Sequence, residues 1–405
     1  MKRRDFLAAS AVLSLLAGAP AHAANKQAQK KAPVKTKKKP PAKSTASKPA
    51  SAAASTPAES EEMPSSEAPP RNAISLPEEP LAQWRRYDIH STISLNNPQG
   101  KTRVWLPLVQ YRDTPWERSL GHHWQGNFAT AGIYRDPVAD MEVFYADWAE
   151  GVAEPKLEIV SHIATQDRHF DITRRGAIAE RTEILRRSLQ ATELVPNDGI
   201  MRRTAERAIG RVKDPLAQGK AIYDWVVDHT VYDPGMKSVG HAHIGRLLES
   251  GNLIGRSTEI SLLFVGLCRA VGIPARPVFG LRMDSSRLFS SLGASGNLSA
   301  AQHCRAEFYS PGYGWVPVNP SDVRKAIQSE GLSNHDPKLT VLKKLLFGFW
   351  EMNWVSFNAA QDVELQGSAG KPLPFLITPV VESQEGRFDD PSTGRFAYSV
   401  TAQRV

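Results

Sequence analysis

The chain has 405 residues, enough for two or three domains of ordinary size. Its formal charge of +8 comes entirely from the N-terminal 75 positions, where nine Lys and Arg71 in residues 24–75 and Lys2, Arg3 and Arg4 outweigh five acids. Positions 76–405 are close to neutral, which argues against a charge-driven nucleic-acid-binding domain, and two cysteines are too few for a disulfide framework.

Lys2-Arg3-Arg4 precede an apolar run over residues 7–16 and then Ala21-His22-Ala23. A charged start, a short apolar stretch and an A-x-A site predict a cleaved export signal over 1–23, and the run is too short for a membrane anchor. The paired arginines resemble a twin-arginine signal, so the mature protein is expected in the periplasm. Residues 24–75 are rich in Lys, Pro, Ala and Ser without apolar period, and predict a basic linker that buries no core.

Residues 76–190 read as an all-β, sandwich-like unit. "RRYDIHSTISL" alternates Tyr87, Ile89, Ser91, Ile93 and Leu95, and "KTRVWLPLV", "MEVFYADW" and "KLEIVSHIAT" are further short strands with turn residues between them. Gly121-His122-His123-Trp124 invites a metal reading, but neighbouring strand residues point apart. From Thr182 the pattern changes. Asp214 is placed to cap a helix with Pro215 at its first position, and Ile222, Trp225 and Val226 form its apolar face. A second helix begins at Ser257 or Thr258, runs through "ISLLFVGLCRAV" and ends at Gly272; it is apolar nearly all round, hence central and buried. "PVFGLRM", "HCRAEFYS" and "YGWVPVNPSD" then read as antiparallel strands, giving an α+β core over 191–340. Residues 341–405 are expected to form an aromatic extension packed on that core.

"AIYDWVVDHTVYDP", "LLESGNLIGRSTEISLLFVGLCRAVGIPAR" and "AQHCRAEFYSPGYGWVPVNPSDVRK" together resemble the transglutaminase-like superfamily, with its papain-like fold. The resemblance implies a Cys-His-Asp triad acting on amide bonds of peptides or proteins through an acyl-enzyme, without a cofactor. The triad-equivalent positions hold Ser257, His303 and Asn319, so two of three depart from the family pattern. A helix N-terminus and a nearby imidazolium can ionise a thiol, but a serine hydroxyl needs a well-oriented general base. An amide carbonyl at Asn319 orients an imidazole without stabilising its charged form; in serine proteases the Asp-to-Asn change costs about 10⁴ in turnover.

Neither cysteine can substitute. Cys304 faces away from its neighbour His303 on a strand, and Cys268 lies ~16 Å along the helix from Ser257 at 1.5 Å per residue. The two could form one disulfide or remain buried thiols. Asp322 would replace Asn319 as orienter if the chain after Pro320 folds back. Ser257 reads equally well as a helix cap, with Glu259 in the first turn. "HAH" at 241–243 is a weak metal candidate lacking a third ligand. The resulting expectation is a catalytically impaired protein that binds a peptide or cell-envelope ligand in the old cleft, with a Ser257–His303 hydrolase or acyltransferase and a purely structural module as alternatives.

Overall fold

A computed structural model describes residues 84–177, 179–236 and 243–405, so the expected export signal at 1–23, the expected linker at 24–75 and His241 lie outside the described residues. The N-terminal half begins with strands β1 (Arg85–Ser94), β2 (Thr102–Pro107), β3 (Glu117–Gly126), β4 (Thr130–Asp136), β5 (Met141–Trp148), β6 (Lys156–Thr165) and the short β7 (Arg168–His169). Period-2 alternation buries Tyr87, Ile89 and Ile93 on one face of β1, as the sequence pattern requires. Helices α1 (Thr182–Arg187), α2 (Gly199–Ile209) and α3 (Pro215–His229) follow, then β8 (Val231–Tyr232), α4 (Ile244–Ser250), β9 (Ile254–Gly255) and α5 (Ser257–Ala270). Strands β10 (Ala275–Arg282), β11 (Gln302–Ser310) and β12 (Gly314–Val318) lead to α6 (Pro320–Glu330) and α7 (Pro337–Leu345). The chain closes with β13 (Phe349–Trp350), β14 (Trp354–Asn358), β15 (Val380–Ser383), β16 (Gly386–Phe388) and β17 (Ala397–Arg404).

In the core, α5 lies against an antiparallel sheet of order β12-β11-β10-β14. All fourteen residues of α5 are buried, which is why its sequence shows no polar face. Leu263, Phe264 and Leu267 join Phe279, Cys304, Ala306 and Phe308 in one apolar cluster. Asp214 does cap α3, its carboxylate accepting the Ala217 N–H at 2.9 Å ahead of Pro215.

Two further sheets, β17-β1-β6-β3 and β16-β15-β2-β5-β4, share a cluster that includes Ile93, Val104, Phe144, Ile159 and Val381. Part of the C-terminal segment packs on the core as expected, with Phe349 in its apolar cluster and Phe375 stacked on Phe279 at 4.8 Å. Its strands divide between the two regions: β14 pairs with β10 of the core sheet and β13 with β7, whereas β15 and β16 extend the sheet of β2, and β17 pairs with β1 along its length. Period-2 alternation identifies a strand but not its partner, and here the partners are the otherwise open edges of β1 and β2.

A buried ionic chain links strands of both regions. Arg168 Nη1 and Arg276 Nε each donate to Glu307 at 2.6 Å, and Arg276 Nη1 reaches Asp140 at 3.2 Å. Trp116 and Trp350 flank the Arg168 guanidinium at 4.1 and 4.5 Å, so the charges are both paired and stacked.

Gly280 permits the closest approach within the core sheet. It pairs with His303 on one side and Ser356 on the other, and an added Cβ would sit 2.0 Å from the Val355 carbonyl oxygen. Gly280→Ala must therefore push β14 from β10, and about 1–3 kcal/mol of destabilisation is expected by urea unfolding. An unchanged midpoint would contradict this packing.

Candidate functional site

Ser257 does not cap α5. It is the first helical residue, Arg256 occupies the cap position, and the Glu259 carboxylate reaches back to the Arg256 N–H at 2.9 Å. The Ser257 hydroxyl instead accepts the Cys304 N–H at 3.2 Å. The ladder explains why: β12 pairs with β11 only from Ala306 onward, so the Cys304 N–H lies past the last rung. One helical turn later, the Ser261 hydroxyl donates to the Cys304 carbonyl at 2.9 Å. Ser321 Oγ approaches the same oxygen at 3.5 Å. Two serines at i and i+4 thus clamp both main-chain groups of one β11 residue to α5.

His303 is buried, 4% exposed, next to that clamp. Its Nε2 lies 3.3 Å from Asn319 Nδ2 and 3.4 Å from Asp322 Oδ1. Asn319 and Asp322 belong to the start of α6, where Asn319 is the N-cap and Pro320 the first helical residue. The Asn319 amide oxygen accepts the Asp322 N–H at 3.1 Å and the Ser321 hydroxyl at 2.9 Å. Its amide nitrogen donates to Asp322 Oδ2 at 2.6 Å. The carbonyl of Asn319, the group suited to hold the imidazole, is taken by the helix cap, and the amide nitrogen faces the ring instead.

Asp322 stands beside His303 together with Asn319 rather than in place of it. Arg282, on β10 and 3% exposed, pairs with Asp322 Oδ1 and donates to the Leu292 carbonyl. Burial alone would raise the Asp322 pKa, but the Arg282 guanidinium, supported by Arg305, holds it well below the usual carboxylate range. Burial, reinforced by Arg282, Arg305 and Lys325 against the opposing Asp322 charge, depresses His303 well below the ordinary histidine range, so its ring is neutral.

The structure thus brings His303 and Asn319 into direct contact, while Ser257 meets β11 through the main chain of Cys304. Among the described residues no hydrogen bond joins Ser257 to His303. Arg282, Ser261 and Ser321 were not singled out from the sequence. Their signals were present as Ser257-x-x-x-Ser261 in an otherwise apolar helix and as the cap pattern Asn319-Pro320-Ser321-Asp322. Surface cavities of about 490 Å³ beside α1 and about 770 Å³ beside β2 are lined by none of Ser257, His303 and Asn319.

Both cysteines are free and buried, and burial raises their thiol pKa values far from those of a reactive thiolate. His122 and His123 diverge: the first contacts Ser161 Oγ at 2.8 Å and Glu142 at 3.4 Å, the second meets the His162 ring edge-on. Of the "HAH" segment, His243 is the residue preceding α4. Among the described residues no helix is long and apolar enough to cross a membrane.

Residues 202–320 match the sequence signature of the transglutaminase-like superfamily. A curated relative from Haemophilus influenzae, named as an uncharacterized protein, is 33% identical over 300 residues, covering 69% of this chain and 80% of the relative. A solved structure from Cytophaga hutchinsonii, named as a candidate cysteine protease, is 14% identical with a TM-score of 0.51, covering 80% of this chain and 91% of that one. The periplasmic domain of TgpA from Pseudomonas aeruginosa aligns at 15% identity over 58% of this chain and 91% of that one, with a TM-score of 0.29. With its central helix, antiparallel sheet and His303 on β11, the chain belongs to the transglutaminase-like superfamily.

Proposed function

We propose that this is an exported, periplasmic transglutaminase-like protein that has lost acyl-enzyme chemistry and keeps its fold to bind a peptide or cell-envelope ligand. The observation that carries the reading is the employment of Ser257. A serine nucleophile needs its hydroxyl free to attack and a base to take its proton. Ser257 is only 8% exposed and its oxygen accepts the Cys304 N–H rather than meeting His303, whose environment disfavours protonation. The export signal read from residues 1–23 supports the periplasmic location.

The test is the intact mass of the mature protein after exposure to a fluorophosphonate, with Ser257→Ala in parallel. No adduct is expected on folded wild type. Ser257→Ala should lose about 1–3 kcal/mol in urea unfolding, because the buried Cys304 N–H is left without its acceptor. A single adduct on wild type that vanishes in Ser257→Ala would establish a serine-type enzyme instead.

A further inference from the structure

We infer that Asn319 holds His303 in the Nδ1–H tautomer, so that the ring presents a hydrogen-bond donor where an acyl enzyme needs a base. The inference deepens the non-catalytic reading of this site and rests on it for its functional meaning.

The amide of Asn319 cannot be turned over without loss. A backbone N–H can only donate, so the atom 3.1 Å from the Asp322 N–H is the amide oxygen. The same oxygen accepts from Ser321, and the nitrogen donates to Asp322 Oδ2. That leaves an amide N–H facing His303 Nε2 at 3.3 Å. An N–H facing a ring nitrogen requires a lone pair there, and in a neutral imidazole the proton then sits on Nδ1.

The charged groups facing the ring are Asp322, Arg282, Arg305 and Lys325. Asp322 Oδ1 is the competitor that would favour Nε2–H, but it lies at 3.4 Å and is already held by the Arg282 guanidinium. The three cations disfavour an imidazolium, which leaves the choice of tautomer as the variable that matters.

Neither ring nitrogen can then receive a proton from Ser257. The Nε2 lone pair is occupied by Asn319, and Nδ1 already carries its hydrogen. Nδ1 has no partner among the described residues, and as a donor it fits an acceptor oxygen. The ligand chemistry this favours is a peptide carbonyl or carboxylate bound without covalent attack. Asn319 is in this sense a positioning residue acting through His303.

The experiment is a long-range ¹H–¹⁵N correlation spectrum of the mature protein labelled with ¹⁵N-histidine, with the His303 signals assigned by their loss in His303→Gln. Wild type should show a protonated, pyrrole-type Nδ1 and an unprotonated Nε2 that do not titrate between pH 5 and 8. Asn319→Ser keeps a good helix cap but removes the amide donor, and should shift the ring toward Nε2–H facing Asp322. An Nε2–H pattern in wild type, titration to imidazolium in that range, or an unchanged Nδ1–H pattern in folded Asn319→Ser would each overturn the inference. The two readings fail separately. An Nε2–H ring with no fluorophosphonate adduct sinks the tautomer alone, whereas a Ser257-dependent adduct on a protein with Nδ1–H sinks the loss of chemistry.

Discussion

Asp322→Ala should cost about 3–5 kcal/mol in urea unfolding, because it leaves the Arg282 guanidinium buried without its counter-charge. Arg282 and Asp322 are 3% and 2% exposed, so water cannot replace the lost partner. The same substitution removes the acceptor of the Asn319 amide and frees His303 from its nearest negative charge. The pH dependence has a definite sign. Asp322 titrates below its unfolded value of roughly 3.9, so its contribution is present above that pH and is lost as pH falls through the folded pKa. Wild type should lose stability below about pH 4 more steeply than Asp322→Ala does. Parallel midpoint-versus-pH curves for the two proteins would show that the pair contributes nothing.

Phe264→Ala should destabilise by a similar amount, about 3–5 kcal/mol, through a cavity at the centre of the core. Phe264 is fully buried in the middle of α5, and its ring meets Phe308 of β11 edge-on, with centroids 6.0 Å apart. Ser257 is two turns earlier on the same helix, and His303 is five residues earlier on the same strand. Loss of packing there should loosen the Ser257–Cys304 clamp as well as lower the unfolding midpoint. Faster hydrogen exchange at the Cys304 amide, relative to amides of β1, is the local readout. A loss below 1 kcal/mol would mean the cavity collapses, and that α5 is less tightly held than its burial implies.

The core was legible because its residues carry period and caps. Asp214-Pro215 marked the start of α3, and the uninterrupted apolar run after Ser257 marked a helix buried on every side. The positions of His303 and Asn319 on β11 and at the end of β12 followed from the family resemblance, and the two side chains do meet. The role of Ser257 was not legible. Serine is favoured both as a cap and as a partner for stray main-chain groups, and the choice depended on Glu259 filling the cap and β12 ending short of Cys304.

The C-terminal strands show the same limit. "RFAYSVTAQ" announces a strand, but its partner is β1, some three hundred residues earlier, chosen because that edge of the sheet was open. Residue type and local period were enough for the α+β core, the buried helix, a serine at 257 and an amide at 319. What those residues do was set by packing. Whether Ser257 caps or clamps, which end of the Asn319 amide meets His303, and which charge Asp322 answers all depend on hydrogen-bond partners brought in from other strands and helices. A buried polar atom is satisfied by whichever partner the packed chain delivers, and local sequence does not specify that partner.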